Sequence, residues 1–156
     1  MSDAKQITGV APGLPNAGNP LRGVATAGQP GEEHLRGLAG AGYRTVVDLR
    51  APGEERGYEE PEAVRRAGMS YVSLPVEPGV PNGAAFERLR TLLRDDGVRP
   101  ALLHCSSANR VGAALVPYLV RDEGLTEEEA LRMARSVGLR SPELEREAIE
   151  CVRAGG

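Results

Sequence analysis

The sequence predicts an α/β fold: a mainly parallel central sheet flanked by helices. Three observations predict it. Short apolar runs alternate with segments of helical periodicity, the pattern of strands joined by crossover helices. The runs at 45–50 and 101–103 are nearly continuous in Val and Leu, as strands covered on both faces are. Finally, Arg50 and Cys105 both fall at the carboxyl ends of such runs, where sheets of this kind bind ligands.

In order, residues 1–22 are rich in Gly, Pro and Asn and read as an irregular N-terminal arm. One domain is expected over 23–156. Residues 23–27 form a short strand. Pro30 suits the first position of a helix, and Glu32 and Glu33 suit its positive end. Leu35, Leu38 and Ala39 supply its apolar stripe; Gly40 and Gly42 end it. Residues 45–50 are a strand broken by Pro52 and Gly53. Asp48, inside that strand, must be paired if buried. A helix is expected over 61–67, stopped by Gly68. Residues 69–76 alternate apolar and polar, as an edge or half-buried strand does, and Pro75 marks its end. Asn82 is expected to cap a helix carrying Phe86, Leu89, Leu92 and Leu93 on one side. Gly97 and Pro100 separate that helix from the strand that leads into Cys105. A helix over 111–122 follows, kinked at Pro117. Thr126 and Glu129 form a capping box, which accounts for the Glu127–Glu129 run. Ser141 and Pro142 open a last helix reaching Val152. No internal repeat is visible.

The chain has 156 residues, the size of one ordinary domain. Forty per cent are hydrophobic, but there is no tryptophan and one phenylalanine, so Val, Leu and Ala must fill the core. A formal net charge of −3 without a basic run argues against a nucleic-acid partner. No stretch is long and apolar enough for a membrane span, and no apolar signal core opens the chain. The two cysteines, Cys105 and Cys151, make no disulfide framework, which fits a reducing cytoplasm. Two histidines far apart and no Cys-x-x-Cys argue against a structural zinc. Neither a metal nor a cofactor is expected. Cys151 reads as a packing residue rather than a resolving thiol.

The chemistry concentrates at His104-Cys105-Ser106-Ser107-Ala108-Asn109-Arg110. A strand ends on a thiol, a short polar loop follows, and a helix opens on an arginine. Loop N–H groups and the helix terminus favour an anion at one spot and favour the thiolate of Cys105 over the thiol. Arg110 can hold two oxygens of an anion in its planar fork. Ser106 and Ser107 can add hydroxyls, and Ala108 and Asn109 contribute backbone. Asn109 is the loop residue that best tolerates a positive φ. Arg50 is either a second anion contact or the partner of Glu54 or Glu55 in a turn-shaping salt bridge. The plain alternative for Cys105 is a small buried apolar residue.

His104-Cys105 through Arg110, with Gly28-Gln29-Pro30 and Val46-Val47-Asp48-Leu49-Arg50 upstream, resembles the phosphatase-like domain of β-lactamase-hydrolase-like (Blh-type) bacterial proteins. These share the cysteine-phosphatase fold of dual-specificity protein phosphatases. The resemblance implies that Cys105 is a nucleophile, that Arg110 binds the anion and that His104 orders the loop. Three features depart from working phosphatases. Their loop holds one residue more between cysteine and arginine than the four here. They carry Ser or Thr after the arginine, where this chain has Val111. They also carry an aspartate that protonates the leaving oxygen; Glu77 or Pro78 stands at that place, and Glu77 is the candidate general acid.

The loop length also resembles that of rhodaneses, sulfurtransferases that carry sulfur as a cysteine persulfide. A persulfide sulfur is small and needs few N–H donors, and sulfite leaves without a proton. Sulfane-sulfur transfer is therefore the leading expectation, with thiosulfate or a persulfide as donor and a thiol as acceptor. Phosphate ester hydrolysis is the alternative, and a catalytically silent anion- or phospho-partner-binding domain is a third.

Overall fold

The structure, a computed structural model, describes residues 6–154. In chain order it contains α1 (Ile7–Val10), β1 (Gly18–Leu21), β2 (Val24–Ala27), α2 (Glu32–Gly40), β3 (Thr45–Asp48), α3 (Glu60–Arg66), β4 (Ser70–Ser73), α4 (Gly83–Leu93), β5 (Ala101–His104), α5 (Asn109–Arg121), α6 (Glu127–Val137) and α7 (Pro142–Ala154). The five strands form one sheet in the order β1-β2-β5-β3-β4. β2, β5, β3 and β4 run parallel, and β1 is antiparallel to β2. The α/β class and the largely parallel sheet are as the sequence predicts.

The strands sort their side chains by the two-residue period of a pleated chain. Val24, Val47 and Leu103 face a core built with Phe86 and Leu89 of α4, Leu115 and Leu119 of α5, Ala134 of α6 and Ala148 of α7. Their neighbours Ala25, Val46 and Leu102 face the other side, against Ile7, Leu35 and Leu38, Val64 of α3 and Met69. Both faces are covered, which is why β2, β3 and β5 are buried at every position.

α5 crosses the first of these cores almost wholly buried. It packs closely because Gly112 has no side chain: a Cβ there would lie 2.7 Å from the Ala134 carbonyl oxygen and 2.9 Å from the Leu139 Cβ. The chain stays helical on both sides of Pro117.

Four expectations need correction. The segment at 1–22 is not irregular over its described part. It forms α1 and β1 and buries Ile7, Ala11 and Leu14, because the unpaired edge of β2 offers it a ladder and the sheet face offers it apolar contacts. Residues 1–5 of that segment lie outside the described residues. α2 starts at Glu32 rather than Pro30, with the Gly31 N–H donating to Nδ1 of His34. β4 is an edge strand as expected but ends at Ser73; Leu74 and Val76 continue bonding to the carbonyls of Asp48 and Leu49. Asn82 precedes α4 without capping it, because its side chain is taken up elsewhere.

Candidate active site

β5 is the central strand, and its end delivers Cys105 between β2 and β3. The Leu49 N–H donates to the His104 carbonyl at 2.8 Å, and the Cys105 N–H donates to the Ala27 carbonyl at 3.4 Å. The loop then turns its carbonyls back into the domain: Ser106 O accepts from the Gln29 N–H, and Ser107 O accepts from the Asn16 amide. Gly28 permits this approach, since a Cβ there would stand 2.6 Å from Ser106 O.

With its carbonyls turned away, the loop keeps its donors. Among the described residues none accepts from the backbone N–H groups of 106–111; the first N–H of α5 with an acceptor is that of Gly112, on Ala108 O. That is the situation of an anion-binding nest at a helix start. Cys105 is fully buried at the edge of the apolar core and does not itself line the cleft over the loop.

The left-handed residue of the loop is Ala108, at φ 72° and ψ 2°, not Asn109. A side chain with a methyl group occupies a conformation that favours glycine, at a cost of roughly 1–2 kcal/mol. Asn109 does different work. Its side-chain oxygen accepts from the N–H groups of Arg140 and Ser141 at 2.7 and 3.2 Å, which ties the loop to the entry of α7. Arg140 also donates to the Ser107 hydroxyl at 3.2 Å.

Arg110 is clamped by Glu54. Its two terminal nitrogens donate to the two carboxylate oxygens at 2.7 and 3.1 Å, and one also reaches the Ser106 hydroxyl at 3.2 Å. The hydrogen bond to Glu54 raises the Arg110 pKa, with further contributions from the nearby Cys105. Glu54 in turn is held well below the ordinary carboxylate range, chiefly by Arg110 and then by Arg50. Arg50 donates to Glu54 at 2.9 Å and to the Gln29 side chain at 2.8 Å. Of its two expected roles, the structure shows the salt bridge, and Arg50 is absent from the lining of the cleft over the loop.

Behind Cys105 lies a buried charge network. His104 is fully buried, with Nε2 at 2.5 Å from Glu60 Oε2 and Nδ1 at 3.3 Å from the Cys105 carbonyl. Both ring nitrogens thus face an oxygen acceptor. Glu60 also accepts from Gln29 at 2.7 Å. Asp48 accepts from Arg56 at 2.9 Å, from Tyr71 at 2.6 Å and from the Arg50 N–H at 2.9 Å. Burial pushes against the Asp48 charge, but His104, Arg56 and Tyr71 outweigh it and lower its pKa. Tyr71 is pushed upward, first by burial and then by Asp48, against the pull of Arg56. Asp48, Glu60 and His104 bring ligand-type atoms within 4.8 Å of one another. Each of those atoms already has a partner in the chain, and Arg56 supplies the cation.

A cleft of about 750 Å³ opens over the loop. Ser106, Ser107, Asn109 and Arg110 form its floor, and Glu77 lines it from the β4–α4 connection. Asn82 holds that connection: it accepts from the Glu77 N–H and donates to the carbonyls of Glu77 and Val80 and to Glu147. Sequence reasoning missed Glu60, Arg56 and Tyr71, the Asn82–Glu147 link, and the role of Glu54 on Arg110. The buried Asp48 was their one signal, since a buried carboxylate demands partners. Cys151 does not line the cleft; burial, with Glu87 at 3.6 Å, pushes its thiol up to about 11.

The fold has known counterparts. The DUF442 protein of Shewanella putrefaciens CN-32 superposes with a TM-score of 0.79 at 20% identity, over 96% of this chain and 99% of its own. Tk-PTP in its active form superposes at 0.74 and 22% identity, over 90% and 97% of the two chains. In sequence, the β-lactamase hydrolase-like protein of Xylella fastidiosa (strain 9a5c) is 32% identical over 145 residues, which cover 85% of this chain. The chain spans about a third of the length of that relative. A family described as "DSP-PTPase phosphatase fused to NAD+ Kinase" matches residues 21–150. Most of the chain thus falls inside one family profile, and it belongs to that DSP-PTPase family as a Blh-type cysteine-phosphatase-like domain.

Proposed function

We propose that the protein is a cysteine-dependent phosphatase of small phosphate monoesters. The observation that carries this reading is the run of backbone N–H groups over 106–111 without acceptors among the described residues, in the loop that joins Cys105 to Arg110. Such a run is complementary to the equatorial oxygens of a phosphoryl group in transfer. The loop is one residue shorter than expected of a phosphatase, yet it keeps donors enough for three oxygens. The phosphatase reading is favoured over sulfur transfer because the matched family is one of phosphatases and because a carboxylate, Glu77, lines the cleft.

In this reading the Cys105 thiolate attacks phosphorus, an S–P bond forms and the bond to the leaving oxygen breaks. Arg110 and the loop N–H groups hold the transferred oxygens. The leaving oxygen takes a proton from Glu77. Glu54 is unsuited to that step because two guanidinium groups hold it ionised. Water then attacks the phosphocysteine, its proton returns to the carboxylate, and inorganic phosphate and the thiolate result. His104, through the Cys105 carbonyl, and Asn109, through Arg140 and Ser141, fix the loop.

The experiment pairs two substrates on the purified protein. An aryl phosphate should release inorganic phosphate, and Cys105→Ser should abolish the release. Intact mass after thiosulfate should show no persulfide. A persulfide on Cys105 without ester hydrolysis would restore sulfur transfer as the activity, and neither product would mark a binding domain.

A further inference from the structure

The walls of the cleft carry information that the loop does not. Apart from the Glu54–Arg110 pair and Glu77, the proton donor, the charged groups lining it are Glu143, Glu147 and Glu150 against Arg146. Glu143 and Glu150 are exposed, with their charge free to act on whatever enters. Beside them stands Val80, at 49% exposure the one large hydrophobic exposed among the described residues. The anion-binding floor is therefore entered through an acidic wall with an apolar rim. An incoming phosphate is repelled by that wall, and a polyanion is repelled several times over. A positive charge on the leaving group reverses the sign of the same interaction.

From this we infer that the substrate of this cleft is a phosphate monoester whose leaving group is cationic and partly apolar. The inference rests on the phosphatase reading for the identity of the group on the floor, and the walls decide what is attached to it. The phosphate sits among the loop donors, the apolar part of the leaving group lies on Val80, and its cation faces Glu143 and Glu150. Charges a few ångströms apart in a water-filled cleft interact weakly one by one, but several of one sign add.

The test uses three aryl phosphates of nearly equal size: 4-(aminomethyl)phenyl, 4-methylphenyl and 4-(carboxymethyl)phenyl phosphate. At low ionic strength kcat/KM should fall in that order, with about tenfold between the first and the last. The spread should shrink as salt is added. In the double variant Glu143→Gln, Glu150→Gln the cation-to-anion ratio should drop by about threefold. Binding of the same three esters to the Cys105→Ser protein gives a second readout that needs no turnover. Hydrolysis with equal or reversed ranking overturns this inference and leaves the phosphatase reading standing. No hydrolysis, but binding ranked by charge, overturns the phosphatase reading and supports the wall. Neither hydrolysis nor ranked binding overturns both.

Discussion

Replacing Glu60 with alanine tests the buried network behind Cys105. Glu60 is fully buried in the first turn of α3. One of its oxygens lies 2.5 Å from His104, the other 2.7 Å from Gln29 and 3.5 Å from Arg56. Truncation removes a fully buried carboxylate and takes an acceptor from three donors. Arg56 keeps Asp48, so its charge stays compensated; His104 and Gln29 do not keep a partner of equal strength. Breaking a buried pair in this way costs about 3–5 kcal/mol. For a domain of this size that lowers Tm by about 6–20 °C. The control is Glu62→Ala on the exposed face of the same helix, expected within about 0.5 kcal/mol of the parent. Urea and thermal unfolding of the three proteins measure both differences. A loss below about 1 kcal/mol for Glu60→Ala, or equal losses for the two variants, would refute the assignment of Glu60 as the buried partner that holds His104.

Other perturbations separate the remaining roles. Glu77→Gln should slow hydrolysis of alkyl phosphates by about 100-fold and spare esters with good leaving groups; a uniform effect on both would remove Glu77 from proton transfer. Arg110→Lys keeps the charge but loses the fork on Glu54, and should weaken inhibition by inorganic phosphate by about 10-fold or more; equal inhibition constants would make Arg110 purely structural. Glu54 and Asp48 have folded pKa values below their ordinary 4.5 and 3.8. The unfolded chain therefore binds more protons through these groups, and their stabilisation is full above those ordinary values and is lost progressively as pH falls from them through the lower folded values. Urea midpoints measured down a series from about pH 6 should fall once pH drops below about 5, and Glu54→Gln should flatten that fall; an unchanged slope would contradict the clamp.

Much of this architecture was legible because periodicity reports burial. The apolar runs at Thr45–Asp48 and Ala101–His104 and the Thr126–Glu129 box carry their structure in local residue types. The strand-end position of Cys105 was legible for the same reason. What could not be read was partnership across the chain. Asn82 looks like a cap from its neighbours alone, yet a glutamate 65 positions away claims its amide. The positive φ falls on Ala108 rather than Asn109 because Asn109 is the first residue of α5 and must be helical, with its side chain committed to the α7 entry. The arm was misread because Gly, Pro and Asn composition signals irregular chain, whereas the sheet supplied an edge for it to join.

That added strand has a consequence for how copies of the protein treat one another. β2 is small and apolar, Val24 to Ala27, and buried along its length. Left uncovered, its outer rim would be a row of open amides and carbonyls on a greasy ribbon, the kind of template that recruits a second chain. β1 closes that rim and then refuses further growth. It is four residues long, its register against β2 is broken between Gly18 and Leu21, and Pro20 has no N–H to offer a newcomer. The segment that composition marks as irregular thus acts as a stopper on the sheet. Deleting it would expose a templating edge and take the Asn16 hydrogen bond from Ser107, so the damage would appear as self-association together with a loosened cysteine loop.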